Sequence, residues 1–194
     1  MTKKIIIPIK VAKTNKVGIF IDEANLFYAQ KELGWKIDWR KFIDLMRKNF
    51  NLKFIRYYLG MPLSSKQKIK NLKIKTLLES FGYTVITKPL KKIYTDSKKA
   101  KFKYKCNFDV EIALDIAAFL NNLDTIIIVS NDSDFIAIRD FVLINKKQFL
   151  FACFKRKIAW EIRRSKFIFL EKLRPAIEYK TKKTSTKGRG EVTK

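Results

Sequence analysis

Apolar residues in this chain alternate between short unbroken runs and stretches with helical spacing. Residues 17–21 form an unbroken run that stops at Asp22 and reads as a buried strand. Residues 24–33 follow in a helical pattern. Residues 39–50 place Phe42, Leu45, Met46 and Phe50 at helical spacing. Residues 52–59 alternate and are rich in aromatic and β-branched side chains, a strand signature that Gly60-Met61-Pro62 breaks. Ser64 or Ser65 suits an N-cap for a helix reaching Phe81, with Ile69, Leu72, Leu77 and Leu78 expected on its inner side and Gly82 as its stop. Residues 83–87 read as a strand. Residues 88–105 show no clean periodicity and read as a charged loop. An apolar helix is expected over 110–120, a buried strand over 124–130, a helix over 133–145 and a strand over 148–154. A short helix over 158–164 and a last strand over 168–170 complete the pattern.

Strands thus alternate with helices, which predicts an α/β domain with a parallel sheet and helices on both faces. Its limits are expected at residues 16–179, between a basic N-terminal arm (1–15) and a disordered basic tail (180–194). In such a sheet, ligands bind beyond the carboxyl ends of the strands.

Composition narrows the chemistry. The 194 residues carry 43 Lys and Arg against 18 Asp and Glu, a net charge of +25. Such a field favours polyanions, nucleic acid first and anionic membrane second. The chain contains no histidine, which excludes histidine general bases, Ser-His-Asp triads and His-containing zinc sites. Cys106 and Cys153 are the two cysteines, far apart and outside any CxxC. They are expected as reduced thiols in a cytoplasmic protein. No run approaches the ~18 apolar residues of a membrane span. Ile5-Ile6-Ile7-Pro8-Ile9 is too short for the core of a signal peptide. Neither GxGxxG nor GxxxxGK[ST] occurs. A metal would have to be held by oxygen.

Four carboxylates fall where the sheet rule looks for a site. Asp22 ends the first strand, Asp132 and Asp134 follow the 124–130 strand, and Asp109 begins a helix, where an N-cap carboxylate is favourable. Clustered carboxylates repel one another unless a cation neutralises them. Oxygen ligands without His or Cys suit Mg²⁺ or Mn²⁺. A local acidic site inside a basic protein is what metal-assisted phosphodiester hydrolysis requires. Each residue could equally serve as a helix cap; the case rests on their agreement. Asp115 lies six residues after Asp109, about 120° round the helix, and so on another face. It could bind a second metal, orient a Lys or point to solvent.

These residues resemble the motifs of NYN domains, the LabA-like branch of the PIN-like nucleases. Ile19-Phe20-Ile21-Asp22-Glu23-Ala24-Asn25-Leu26 resembles the first motif. Lys105-Cys106-Asn107-Phe108-Asp109-Val110, continuing to Leu114-Asp115, resembles the second, and Val129-Ser130-Asn131-Asp132-Ser133-Asp134-Phe135 the third. The resemblance covers roughly residues 16–155. It implies a three-layer, Rossmann-like (PIN-like) sheet and a metal-dependent ribonuclease site. Asp22, Asp109 and Asp132 would bind metal, and Asp134 would complete the catalytic set. Asn25 would contact the site, with Ser130 and Asp115 as further supporting residues, and Lys105 would face phosphate. PIN-like proteins often pair, which allows a homodimer. Asn131 stands where the family commonly has Gly and Cys106 where Gly is frequent; Asn tolerates left-handed backbone better than most residues.

Residues 88–105 hold eight lysines against one acid, with Tyr94, Phe102 and Tyr104 interleaved. Lysines track a phosphate backbone and aromatic rings stack on bases. Lys98, Lys99, Lys101, Lys103, Tyr104 and Lys105 are therefore the candidate contacts to single-stranded RNA, and the segment leads straight into Asp109. The sequence also admits a non-catalytic RNA-binding module on the same fold, or a DNA nuclease.

Overall fold

A computed structural model describes residues 11–96, 101–158 and 160–180. All of the predicted tail (180–194) but its first residue, and most of the arm, lie outside these residues. In chain order the elements are β1 (Lys16–Asp22), α1 (Glu23–Leu33), α2 (Trp39–Asn49), β2 (Asn51–Met61), α3 (Ser65–Phe81) and β3 (Thr84–Pro89). Then come β4 (Lys91–Asp96), β5 (Lys101–Lys105), α4 (Asp109–Phe119), β6 (Thr125–Val129), α5 (Ile136–Ile144), β7 (Gln148–Cys153), β8 (Phe167–Phe169) and α6 (Leu170–Ile177).

Six strands form one parallel sheet in the order β3-β2-β1-β6-β7-β8. The alternation of each strand divides the core into two layers. Val17, Ile19 and Ile21 of β1 face one layer with α1, α2 and α6, while Phe20 faces the other with α4 and α5. β6 does the same with Ile127 and Val129 on the first side and Ile126 and Ile128 on the second. All five residues of β6 are buried, as expected for a strand covered on both faces. Gly18 lets α4's following turn close on the sheet: a Cβ there would lie 2.6 Å from Leu123 Cδ1.

Three local expectations are corrected. Residues 88–105 are not an irregular loop: β4 and β5 pair as an antiparallel hairpin, separate from the main sheet. In the sequence β5 alternates, Lys101-Phe102-Lys103-Tyr104-Lys105, but its partner β4, Lys91-Lys92-Ile93-Tyr94-Thr95-Asp96, does not. On α3, only Leu78 of the four expected inner residues is buried; Ile69, Leu72 and Leu77 are exposed, and Ile74 and Phe81 pack inward beside Leu78. α3 follows the edge strands of the sheet and rests on them along a narrow line, so apolarity alone misjudged its inner face. Residues 158–164 supply only a 3₁₀ turn, Trp160–Ile162. The structure adds α6, which the sequence pattern did not indicate. It packs on α2, with Leu170, Leu173 and Ile177 buried, and its end is tied down by Asp38 N donating to Ile177 O at 2.7 Å.

Candidate functional site

β1 and β6 are the middle strands, and the chain leaves them in opposite directions: β2 and β3 lie beyond β1, β7 and β8 beyond β6. The helices after β1 and β6 therefore diverge to opposite faces and open a crevice at the carboxyl ends of these two strands. Asp22 is the last residue of β1, and Asp132 lies three positions beyond β6. α4 brings Asp109 to the same edge. Carboxylate oxygens of Asp22, Asp109 and Asp132 lie within 4.8 Å of one another.

Each is held by local chemistry. Asp22 occupies the cap position of α1 with extended backbone, yet its side chain makes no capping bond. It accepts a hydrogen bond from the Ser130 hydroxyl instead (3.1 Å), and Ser130 Oγ in turn accepts from Asp132 N (3.1 Å). Asp132 caps the 3₁₀ turn Ser133–Phe135 by accepting from Asp134 N at 3.0 Å. Asp109 is not the N-cap expected from sequence. It is the first helical residue of α4, and Phe108 occupies the cap position. Asn107 clasps it from outside: Asp109 N donates to Asn107 Oδ1 (2.8 Å) and Asn107 Nδ2 donates to Asp109 Oδ2 (2.7 Å). The Asp109 carboxylate is thereby oriented without being used up as a cap.

The electrostatics favour a cation. Burial pushes the Asp22 carboxyl up to about 6; the Ser130 hydroxyl and the backbone N–H of Asn25 counter this, and the charges of Asp109 and Asp132 add to it. Asp109 is raised too, first by burial, then by Asp132 and Asp134, with Asn107 and Lys105 pulling it down. Glu23, one residue beyond Asp22, is pushed to about 7 by burial and by the Asp22 charge. Such carboxylates resist full ionisation unless a positive charge joins them. Three converging oxygen donors fit a hard divalent cation, and Asp22, Asp109 and Asp132 are the residues that would hold it. Asp134 is exposed and lies outside this trio, though near enough to raise Asp109.

Asn25 and Asn131 form a brace. Asn25 Oδ1 accepts from Asn131 N (2.9 Å). The Asn131 side chain pairs with Phe154 like a strand neighbour: Nδ2 donates to Phe154 O (2.7 Å) and Oδ1 accepts from Phe154 N (3.1 Å). Asn131 is not left-handed, since Lys146 is the only non-glycine with positive φ among the described residues. Its role is to lock the loop bearing Asp132 to the end of β7. Cys106 sits against Gly60, where a Cβ would lie 3.2 Å from Cys106 Cβ. Asp115 neither points free into solvent nor orients a Lys. Its Oδ2 accepts from Tyr58 Oη (2.5 Å) and Arg56 Nε (2.9 Å), which pins α4 to β2.

Of the candidate RNA contacts, Lys98 and Lys99 lie outside the described residues, and Lys101 and Lys103 fall on β5. Phe102 and Tyr104 are each about 44% and 43% exposed, with ring centroids 5.5 Å apart, and Lys92 Nζ stands 4.0 Å from the Phe102 centroid. Lys105 is exposed at the end of β5 and close enough to lower the Asp109 carboxyl. Glu23 and the Asn131 brace were not singled out in the sequence. Strand-end adjacency to Asp22 was the available signal for the first; the second depends on Phe154, 23 positions away.

The profile of the NYN domain family matches residues 16–171. The chain belongs to the NYN domain family. Membership indicates a PIN-like nuclease-type domain, and the acidic cluster Asp22, Asp109 and Asp132 is compatible with one. Among curated relatives, this NYN chain is 31% identical over 123 residues to the low amplitude and bright protein LabA of Synechococcus elongatus. That match covers 63% of this chain and 65% of the relative, so just under two thirds of LabA is spanned. Among solved structures, a Vibrio parahaemolyticus protein of unknown function superposes with a TM-score of 0.66 at 20% identity. That alignment covers 84% of this chain and 96% of the other and shows the shared fold. No helix among the described residues of this NYN protein is long and apolar enough to cross a membrane.

Proposed function

We propose that this NYN protein is a divalent-metal-dependent endoribonuclease that hydrolyses single-stranded RNA, with Mg²⁺ or Mn²⁺ held by Asp22, Asp109 and Asp132, working in the cytoplasm. The observation that carries the reading is the convergence of these carboxylates, from β1, α4 and the β6 loop, at the sheet's switch point. A cation bound there would supply Lewis acidity toward a phosphodiester and would activate water.

The chain's own residues do the rest. Ser130 fixes the orientation of Asp22 and, through the Asp132 amide, the loop that carries Asp132. The Asn107 clasp aims Asp109. Asp134, exposed beside the trio, is placed to orient water or leaving group. The exposed aromatic pair Phe102 and Tyr104 offers stacking to unpaired bases, and Lys105 leads a phosphate from the hairpin toward Asp109. Single-stranded RNA fits this surface better than a duplex, whose bases are already stacked.

The test is incubation of purified protein with single-stranded RNA or DNA in Mg²⁺, Mn²⁺ or EDTA. Metal-dependent cleavage of RNA alone is expected. Binding without cleavage in every metal would replace this reading with a non-catalytic RNA-binding module, and cleavage of DNA with that of a DNA nuclease.

A further inference from the structure

At the other edge of the sheet, where β7 begins and β8 is about to begin, a cleft of about 610 Å³ opens between the end of α5 and residues 164–166. It lies one strand length from the carboxylate cluster, roughly 20 Å for six residues of β. Its cations are Arg139, Lys146, Lys147, Arg164 and Lys166; its single acid is Asp140.

The charges do not balance internally. Asp140 is taken by Arg139, whose Nε donates to Asp140 Oδ1 at 2.8 Å. The same guanidinium donates from Nη1 to Ser165 Oγ (2.9 Å), so this planar fork is held in place across the cleft. Lys147 stands 3.7 Å from Asp124. Lys146, Arg164 and Lys166 make no ion pair among the described residues, leaving three uncompensated positive charges around one concavity.

The backbone points the same way. α5 ends with Lys147 N donating to Val142 O (3.1 Å) and Lys146 N to Leu143 O (2.9 Å). These two bonds place Lys146 at the left-handed position of a Schellman cap, with φ of 58°. α1 and α3 put glycine, Gly34 and Gly82, at their left-handed ends. Here a lysine occupies the left-handed position and lines the cleft. Leu143, half exposed, gives the cleft an apolar wall.

We propose that this cleft is a phosphate-binding site, separate from the carboxylate cluster, for the phosphate groups of a nucleotide, either free or within an RNA strand. Lys146, Arg164 and Lys166 supply point charges for phosphate oxygens, beside an Arg139 guanidinium already bonded through Nε and Nη2 to Asp140 and through Nη1 to Ser165. Its volume suits a nucleotide.

The experiment is done in EDTA, so that no cation at the carboxylates can hold phosphate. Calorimetry measures binding of inorganic pyrophosphate and adenosine triphosphate, and fluorescence anisotropy measures a labelled single-stranded RNA. The parent is compared with Lys146→Gly/Arg164→Gln/Lys166→Gln, and with Lys66→Gln/Lys68→Gln/Lys70→Gln, which removes equal charge from α3. Lys146→Gly relieves the strained backbone, so the first variant should melt no lower than the parent. Expected is at least a tenfold loss of affinity for pyrophosphate and adenosine triphosphate in the cleft variant and less than twofold in the α3 variant. If only RNA affinity falls selectively in the cleft variant, the occupant is an RNA strand and the proposal stands in that form. It is overturned if the parent binds none of the three probes saturably, or if the two variants lose affinity equally.

Discussion

At the scale of single residues, Asp22 carries both the chemistry and a cost. Its carboxyl is 6% exposed and pushed up to about 6. Ionising it in the folded chain, rather than in the unfolded one, costs about 3 kcal/mol. The folded state binds the extra proton, so without metal the contribution of Asp22 to stability is fully present below about pH 4 and is lost as pH rises through 6. Glu23, pushed to about 7, extends the fall. Urea unfolding in EDTA should show this slope, and Asp22→Asn should remove the part below pH 6; an unchanged slope would mean the carboxyl is not perturbed. In Mg²⁺ or Mn²⁺, Asp22→Asn, Asp109→Asn and Asp132→Asn should each cut RNA cleavage by orders of magnitude while RNA binding persists. Wild-type cleavage rates in all three would refute the metal-site assignment. Asn131→Gly tests the brace: two buried bonds to Phe154 go, and a loss of about 1–3 kcal/mol in unfolding free energy is expected.

At the scale of elements, α4 and the hairpin have separable roles. α4 is pinned through Asp115 to Tyr58 and Arg56 of β2, and Tyr58 is fully buried. Asp115→Ala leaves the Tyr58 hydroxyl without its partner, so a loss of about 1–3 kcal/mol is expected. Cleavage should fall far less than for Asp109→Asn, because no metal ligand is removed. Phe102 and Tyr104 are exposed, so Phe102→Ala/Tyr104→Ala should leave the melting temperature within about a degree or two and weaken single-stranded RNA binding about tenfold or more. Lys98, Lys99, Lys101 and Lys103 changed together to Ala should flatten the salt dependence by about 2 if three phosphate contacts go. An unaltered slope would mean that these lysines serve only solvation.

At the scale of the whole molecule, α6 closes the fold. A chain ending at residue 169 loses Leu170, Leu173 and Ile177 from the core shared with α2, and should not give a cooperative melting transition. A chain ending at residue 180 keeps them and should melt like the full protein. A large drop for the second truncation would show that the last residues dock. The net charge of +25 acts over the entire surface, so every nucleic-acid affinity should fall steeply with salt.

The main strands and most helices were legible because burial on two faces demands continuous apolar runs, as in β6, and amphipathic burial demands helical spacing, as in α2. The order of those runs fixed a parallel α/β sheet, and the strand-end positions of Asp22 and Asp132 marked the edge where a site forms. The sequence alone could not assign the inner face of α3, because an edge helix makes a narrow contact and leaves Ile69, Leu72 and Leu77 outside. It did not reveal the hairpin, because β4 lacks the period of two that its partner β5 shows in Lys101-Phe102-Lys103-Tyr104-Lys105. The use of Asp115 as a latch to Tyr58, and of Asn131 as a strand-like partner for Phe154, rests on groups 57 and 23 positions distant. The three-way approach of Asp22, Asp109 and Asp132 was likewise decided only in three dimensions, where the sheet's switch point brings together residues that covalent order keeps far apart.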